Sequence, residues 1–156
     1  MSDNAPRYWL VKSEPSTFSF DDLLAAPKRT THWDGVRNFA ARNHLRDMKQ
    51  GDRVLFYHSS ADPTAVVGIA EVVRDAYPDA SAFDPKDAHY DPKSKRESPS
   101  WFMVDLRAVE KLARPVTLVQ IKATKALANM QLVKLGRLSV QAVTEKEYET
   151  ILKMGG

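Results

Sequence analysis

The feature that most constrains this chain is a pair of apolar runs, Arg53-Val54-Leu55-Phe56-Tyr57-His58 and residues 65–73, joined by a short segment containing Asp62-Pro63. Aromatic and β-branched residues dominate both runs, and the Asp-Pro step is a turn signal, so the pair reads as a β-hairpin. The second run is nearly continuous in apolar residues, as a strand covered on both faces would be. Elsewhere strand-like and helix-like segments alternate. Residues 8–11 read as a first strand, which Pro15 ends because the residue before a proline is pushed out of helical geometry. Thr17 or Ser19 can cap a short helix carrying Phe20, Leu23 and Leu24, stopped by Pro27. A second helix fits residues 38–48, with Phe39, Ala41, Leu45 and Met48 at three- and four-residue steps.

Residues 75–100 break the pattern with Pro78, Asp79, Asp84, Pro85, Asp87, Asp91, Pro92 and Pro99. Strong patterning resumes afterwards, so this is a long surface excursion rather than a linker. Residues 101–109 form the strongest strand candidate, and Pro115 is expected to end its extension. Helical turns are expected at 117–123 and 126–135, and a strand at 138–143. Thr144 and Glu147 form a capping box for a last helix reaching about Lys153. The order β-α-α-β-β-loop-β-α-β-α contains a hairpin, so the sheet is mixed. The expected class is α+β, a curved sheet or small barrel with helices outside, forming one domain over residues 1–156 with a core at about 8–153.

Composition narrows the chemistry. The chain lacks cysteine, which excludes disulfides, thiolate catalysis and Cys-ligated metals. No apolar run approaches the ~20 residues of a spanning helix. Met1-Ser2-Asp3-Asn4 lacks the basic start of a secretory leader, so a cytoplasmic protein, nucleoid-associated if bacterial, is expected. His32, His44, His58 and His89 show no metal-ligand spacing, and neither a nucleophile elbow nor a phosphate-cradling glycine loop is present. No cofactor or metal is expected. Net charge is +3, but residues 28–53 hold seven basic side chains against three acidic ones. Arg37, Arg42, Arg46 and Lys49 are candidates to face phosphates. Trp33 lies in a turn-like context beside Asp34-Gly35, where its ring can serve as a stacking platform, whereas Trp9 and Trp101 sit inside strands and read as core. Asn38 or Glu14 could then read a base edge.

At these residues the sequence resembles the EVE domain. The resemblance rests on Tyr8-Trp9-Leu10-Val11-Lys12-Ser13-Glu14-Pro15, on Trp33-Asp34-Gly35-Val36-Arg37-Asn38-Phe39, on Gly51-Asp52 before Phe56-Tyr57-His58-Ser59, on Val67-Gly68-Ile69-Ala70-Glu71-Val72, on Asp91-Pro92-Lys93-Ser94, and on Leu138-Ser139-Val140-Gln141. It implies a PUA-like pseudo-barrel related to the YTH and ASCH domains, and a module that holds a modified base of DNA or RNA (modified cytosine or methylated adenine) in an aromatic cage. The implied pocket lies between Lys12-Ser13-Glu14, the Trp33-Asp34-Gly35 segment with Asn38, and Tyr57-His58, with Leu138, Ser139 and Val140 closing the far side. Trp33 would be a cage wall, and Tyr57 or another ring would complete it. A second reading is a small hydrolase or nuclease using Glu14, Lys12 and His58 around the same pocket. A third is a small-molecule or protein binder working through the 75–100 segment.

Overall fold

The computed structural model describes residues 5–156; the start of the chain, read above as lacking a leader, lies outside them. Six strands form one mixed sheet in the order β2-β5-β4-β3-β1-β6. They are β1 (Tyr8–Ser13), β2 (Thr30–His32), β3 (Arg53–His58), β4 (Ala65–Pro78), β5 (Phe102–Thr117) and β6 (Val140–Val143). β1 runs parallel to β3 and every other pairing is antiparallel. The helices are α1 (Phe20–Ala25), α2 (Phe39–Asp47), α3 (Leu118–Lys122), α4 (Gln131–Lys134) and α5 (Glu145–Met154).

The continuous apolar character of the central strands has a direct cause. Alternate residues point to opposite faces of a strand, and both faces of β1 and β3 are covered. Trp9, Val11, Val54 and Phe56 enter one core with Phe20 and Leu23 of α1 and Leu45 of α2. Leu10, Leu55 and Tyr57 enter a second core with Ile121 of α3 and Ile151 of α5. Register shifts between β3 and β4 and at several points along β4 and β5 bend the long hairpin. Gly68 of β4 gives the ring of Phe20 room to lie on the sheet: a Cβ there would fall 2.5 Å from that ring. At the other end, the carboxylate of buried Asp52 accepts from the Trp9 indole N–H at 2.9 Å and from the backbone N–H groups of Arg7 and Lys49, both at 3.0 Å. Trp9 is thereby fixed in the core as expected.

Three expectations need correction. Pro115 does not end β5, which runs on to Thr117. The ladder jumps from Val66↔Val116 to Gly68↔Lys111, so Pro115 falls in a bulge where its missing N–H leaves no pairing position empty. The strand expected over 65–73 continues to Pro78, which pairs with Phe102 at the sheet end. The helix expected over 126–135 is a 3₁₀ turn at Lys125–Leu127 followed by the four-residue α4. The structure also adds β2, three residues preceded by Lys28 and Arg29, both at φ 55°. Ser19, not Thr17, caps α1, in a capping box with Asp22. The Thr144 box of α5 is present.

Candidate functional site

A cleft of about 540 Å³ opens where β1 ends. Its first wall follows from the sheet order. β1 lies between β3 and the start of β6, with the Lys12 N–H donating to the Ser139 carbonyl and the Ser59 N–H to the Ser13 carbonyl, both at 3.0 Å. After Ser13 the chain curls at once. The Glu14 carbonyl accepts the N–H groups of Thr17 and Phe18 at 2.9 Å, and the Ser13 hydroxyl donates to the Phe18 carbonyl at 2.6 Å. This tight turn carries Phe18 into the cleft.

The second wall is the segment leaving β2. Trp33 makes a last ladder-like bond, its N–H donating to the Val104 carbonyl at 2.7 Å. Gly35 then turns at φ +79°, a conformation that L side chains avoid. Its N–H donates at 2.8 Å to Asp79, a carboxylate with no solvent exposure. The same carboxylate accepts from Arg37 at 3.1 Å and from the N–H and hydroxyl of Ser81 at 2.9 and 2.6 Å. Burial pushes the Asp79 carboxyl pKa up, but the hydrogen bonds from Ser81, Gly35 and Arg37 together hold it below the ordinary carboxylate value. Arg37 also grips the His89 carbonyl through two nitrogens at 3.0 and 2.7 Å. The 75–100 excursion is thus bound to the cleft wall, and it lays the His89 imidazole over Gly35.

Trp33 is half-buried and meets Phe56 at 5.5 Å and Phe18 at 6.3 Å between ring centroids, at interplanar angles of 80° and 72°. Near-perpendicular contacts fix the plane of the indole without a parallel ring against it. The rest of the lining is polar: Lys12, Glu14, Thr17, Thr31, His32, Asp34, Arg37 and Ser139, with Val36 as an apolar patch. The Lys12 ammonium donates to the Gly136 carbonyl, and burial pulls its pKa below the ordinary value. Among the described residues no group of histidines and carboxylates could hold a metal.

Of the residues read from sequence, Lys12, Ser13, Glu14, Trp33, Asp34, Gly35 and Ser139 meet in this cleft. Five others lie elsewhere. Val140 is buried in the first core and Tyr57 in the second, so neither lines the cleft. His58 accepts the Phe20 N–H at 3.1 Å through Nε2, and burial lowers its pKa, so its imidazole serves the start of α1. Asn38 caps α2, accepting the Ala41 N–H at 2.9 Å, and with Leu138 it lines a neighbouring groove. The acid–base trio of Glu14, Lys12 and His58 is therefore not gathered around one point: Glu14 accepts from the Ser60 hydroxyl, Lys12 faces Gly136 and His58 faces α1. Among the basic residues, Arg37 lines the cleft with its guanidinium committed to Asp79, Ser81 and His89. Arg42 donates to the Ser100 carbonyl and to Asn43. Arg46 lies over the Phe102 ring, and Lys49 lines a depression with Arg7 and Asp52.

Sequence reasoning missed Phe18 and His89. Phe18 stands next to the Pro15 turn and could have been found from the bend that proline imposes. His89 carries no local signal, since only the long-range bonds of Arg37 bring it to the cleft.

A curved mixed sheet with helices on both faces and a cleft at the end of β1 defines a PUA-like α+β protein. The EVE domain family matches residues 7–154, and the chain belongs to that family. Thymocyte nuclear protein 1 of Gallus gallus is 44% identical, the match covering 94% of this chain and 68% of that protein. A solved structure of a hypothetical protein from Leishmania major is 47% identical, covers 97% of this chain and 95% of its own, and has a TM-score of 0.91. A crystal structure of the human thymocyte nuclear protein in complex with DNA containing 5-methylcytosine is 40% identical, covers 96% of this chain and 97% of that one, and has a TM-score of 0.92.

Proposed function

We propose that this protein is a non-catalytic DNA-binding module, acting as one domain, that holds a modified base, 5-methylcytosine first among the candidates, in the cleft between the end of β1 and the Trp33–Arg37 segment. The observation that carries the reading is the Trp33 indole, braced edge-on by two rings yet unstacked, in a cleft of about 540 Å³. A relative with 40% identity, crystallised with methylcytosine DNA, supports the choice of base.

A base inside a duplex cannot reach such a cleft, so it enters flipped or from a single strand. Trp33 and Phe18 form the aromatic walls. The exposed carboxylates of Glu14 and Asp34 accept from the exocyclic amino group, and Val36 gives the methyl an apolar contact. A methyl-sized fit is worth about 1–3 kcal/mol, so selectivity over unmodified cytosine is roughly 10- to 200-fold. Of the four basic residues read as phosphate-facing, Arg46 and Lys49 have side chains without a protein hydrogen bond among the described residues, and in this reading they carry that role. No helix among the described residues is long and apolar enough to cross a membrane. The reading puts the protein where the DNA is, the cytoplasm or nucleoid if the cell is bacterial.

The test is a tryptophan-fluorescence titration with oligonucleotides carrying cytosine, methylcytosine, hydroxymethylcytosine, adenine or methyladenine, as DNA and as RNA, single- and double-stranded. Quenching that favours methylcytosine DNA and is lost in Trp33→Ala is expected. Binding that ignores the modification, or that survives Trp33→Ala unchanged, overturns the reading.

A further inference from the structure

A groove of about 390 Å³ lies beside the cleft, between Asn38 and Ala40 on one side and the turn from Leu135 to Leu138 on the other. The two depressions share a rim. Arg37 and Ser139 line the cleft, while their chain neighbours Asn38 and Leu138 line the groove. Lys12 ties them together, lining the cleft while its ammonium donates to Gly136 in the groove.

The turn is held from beneath. The Leu138 N–H donates to the Leu135 carbonyl at 3.1 Å. Gln141, with no solvent exposure, donates its amide to the carbonyls of Leu135 at 3.1 Å and Leu138 at 2.9 Å. A wholly buried amide engaged on an exposed turn fixes that turn before any ligand arrives. On it Leu135 is 48% exposed, although the core lies beneath. Arg137 is exposed, and among the described residues its guanidinium has neither a hydrogen bond nor an ion pair. Facing the turn, Asn38 uses its amide oxygen on the α2 cap, and no protein acceptor among the described residues takes its amide hydrogens.

We propose that this groove holds the nucleotide next in the strand to the base in the cleft, with Leu135 against the face of its base and Arg137 on the intervening phosphate. The inference rests on the reading of the cleft given above. A strand with one base in the cleft must leave over its rim. Arg37, the guanidinium of the cleft wall, is already committed, whereas this rim offers an uncommitted cation, an apolar side chain and a free amide donor together. A phosphate takes the cation, the edge of a base the amide donor, and the face of a base buries against the apolar side chain.

The experiment measures anisotropy with two short single-stranded DNAs, each centred on 5-methylcytosine, one with normal neighbours and one with abasic neighbours. Leu135→Ala and Arg137→Gln alter only exposed side chains, and matched thermal unfolding checks that they fold. The wild-type protein is expected to bind the normal oligonucleotide more tightly. Leu135→Ala should weaken that binding about tenfold and leave the abasic one unchanged. Arg137→Gln should weaken both and lower the salt slope by about 0.7. Equal wild-type affinity for the two DNAs overturns the groove, as do variants that bind like wild type while Trp33→Ala loses binding; in both cases the cleft stands. If Trp33→Ala also has no effect, or nothing binds, the reading of the cleft falls and the groove with it.

Discussion

Asp79→Ala is the most informative single change, because Asp79 lies more than forty residues from Gly35 and Arg37 in sequence yet ties that wall of the cleft to the 75–100 excursion. Its carboxylate has no exposure and accepts four hydrogen bonds, from Gly35, Arg37 and twice from Ser81. Removing it leaves the Gly35 and Ser81 N–H groups without acceptors, at about 1–3 kcal/mol each where water cannot replace the partner. It also takes away the charged partner of Arg37, whose side chain is 22% exposed and keeps only its neutral acceptors Ser81 and His89. Breaking one side of such a pair typically costs about 3–5 kcal/mol, and this range covers the whole effect, since Ser81 lies close enough to the surface to recover water. For a chain of this length that is a fall in Tm of roughly 10 °C. Affinity for methylcytosine DNA should drop as well, because Gly35 and His89 lose their anchor. The salt slope should stay unchanged, since Asp79 faces no phosphate. Asp79→Asn keeps the volume and one acceptor and should cost about half as much. It also isolates the acid limb. The Asp79 pKa is lower in the folded protein than the roughly 3.9 of an unfolded aspartate, so its contribution is present above that value and lost as pH falls through the folded one. The asparagine variant should flatten that limb. Urea unfolding at pH 7 and in the acid range reads both effects. A loss below about 1 kcal/mol for Asp79→Ala would refute the claim that this carboxylate anchors the Gly35–Arg37 wall of the cleft.

Two further outcomes follow from the same geometry. Gly35→Ala forces a side chain to φ +79° and puts its Cβ 2.7 Å from the His89 ring, so a loss of about 1–2 kcal/mol and weaker base binding are expected; adding His89→Ala should recover only the part due to the clash, as a double-mutant cycle in urea would show. His58 must be neutral at Nε2 to accept the Phe20 N–H, and its folded pKa lies below the unfolded value of about 6.5. Its contribution is therefore present above that pH and lost as pH falls through the folded value. His58→Gln, which can still accept the bond, should flatten the stability profile just below about pH 6.5, where the contribution of His44, which burial shifts the same way, persists. An unchanged profile would show that His58 does not titrate against α1.

The sequence made the central strands legible because both their faces are buried, and the capped helices legible because their caps are local. What it hid depends on partners distant along the chain. Phe56 and Tyr57 are adjacent aromatics, and only the register of β3 against β1 decides that Phe56 backs Trp33 while Tyr57 enters the opposite core. Pro115 looked like a stop because the bulge that tolerates it is a property of the β4–β5 pairing, not of β5 alone. Residues 75–100 read as an open excursion, yet Asp84, Asp87 and Asp91 each accept an N–H two residues on, and Asp79 joins the segment to the cleft. The abundance of aspartate was visible; what the carboxylates bind was not.

The basic segment shows the same limit in its electrostatics. The excess of basic residues over 28–53 reads as a phosphate-facing edge, but arginines beside aromatic rings also join helices to sheets. Arg42 lies 4.8 Å over Phe39, Phe39 stacks on Trp101 at 4.8 Å, and Arg37 lies 5.3 Å from the other ring system of the run, Trp101 itself. Trp101 in turn donates its indole N–H to Asp91 at 2.7 Å. This series of cation and ring contacts pins α2 to the start of β5, and it explains how Phe39 can be 59% exposed without being an unsupported apolar surface. Each such contact is worth about 0.5–1 kcal/mol at an exposed site, comparable to a surface ion pair. A guanidinium already bonded through its nitrogens has little left for a phosphate, so the local excess of positive charge overstates the charge available to DNA. Of the four cations read as phosphate-facing, Arg37 and Arg42 are spent in this way, which leaves Arg46 and Lys49, with Arg137 at the rim of the groove. Binding should therefore depend on salt only modestly, and the free energy of recognition should reside mainly in the cleft.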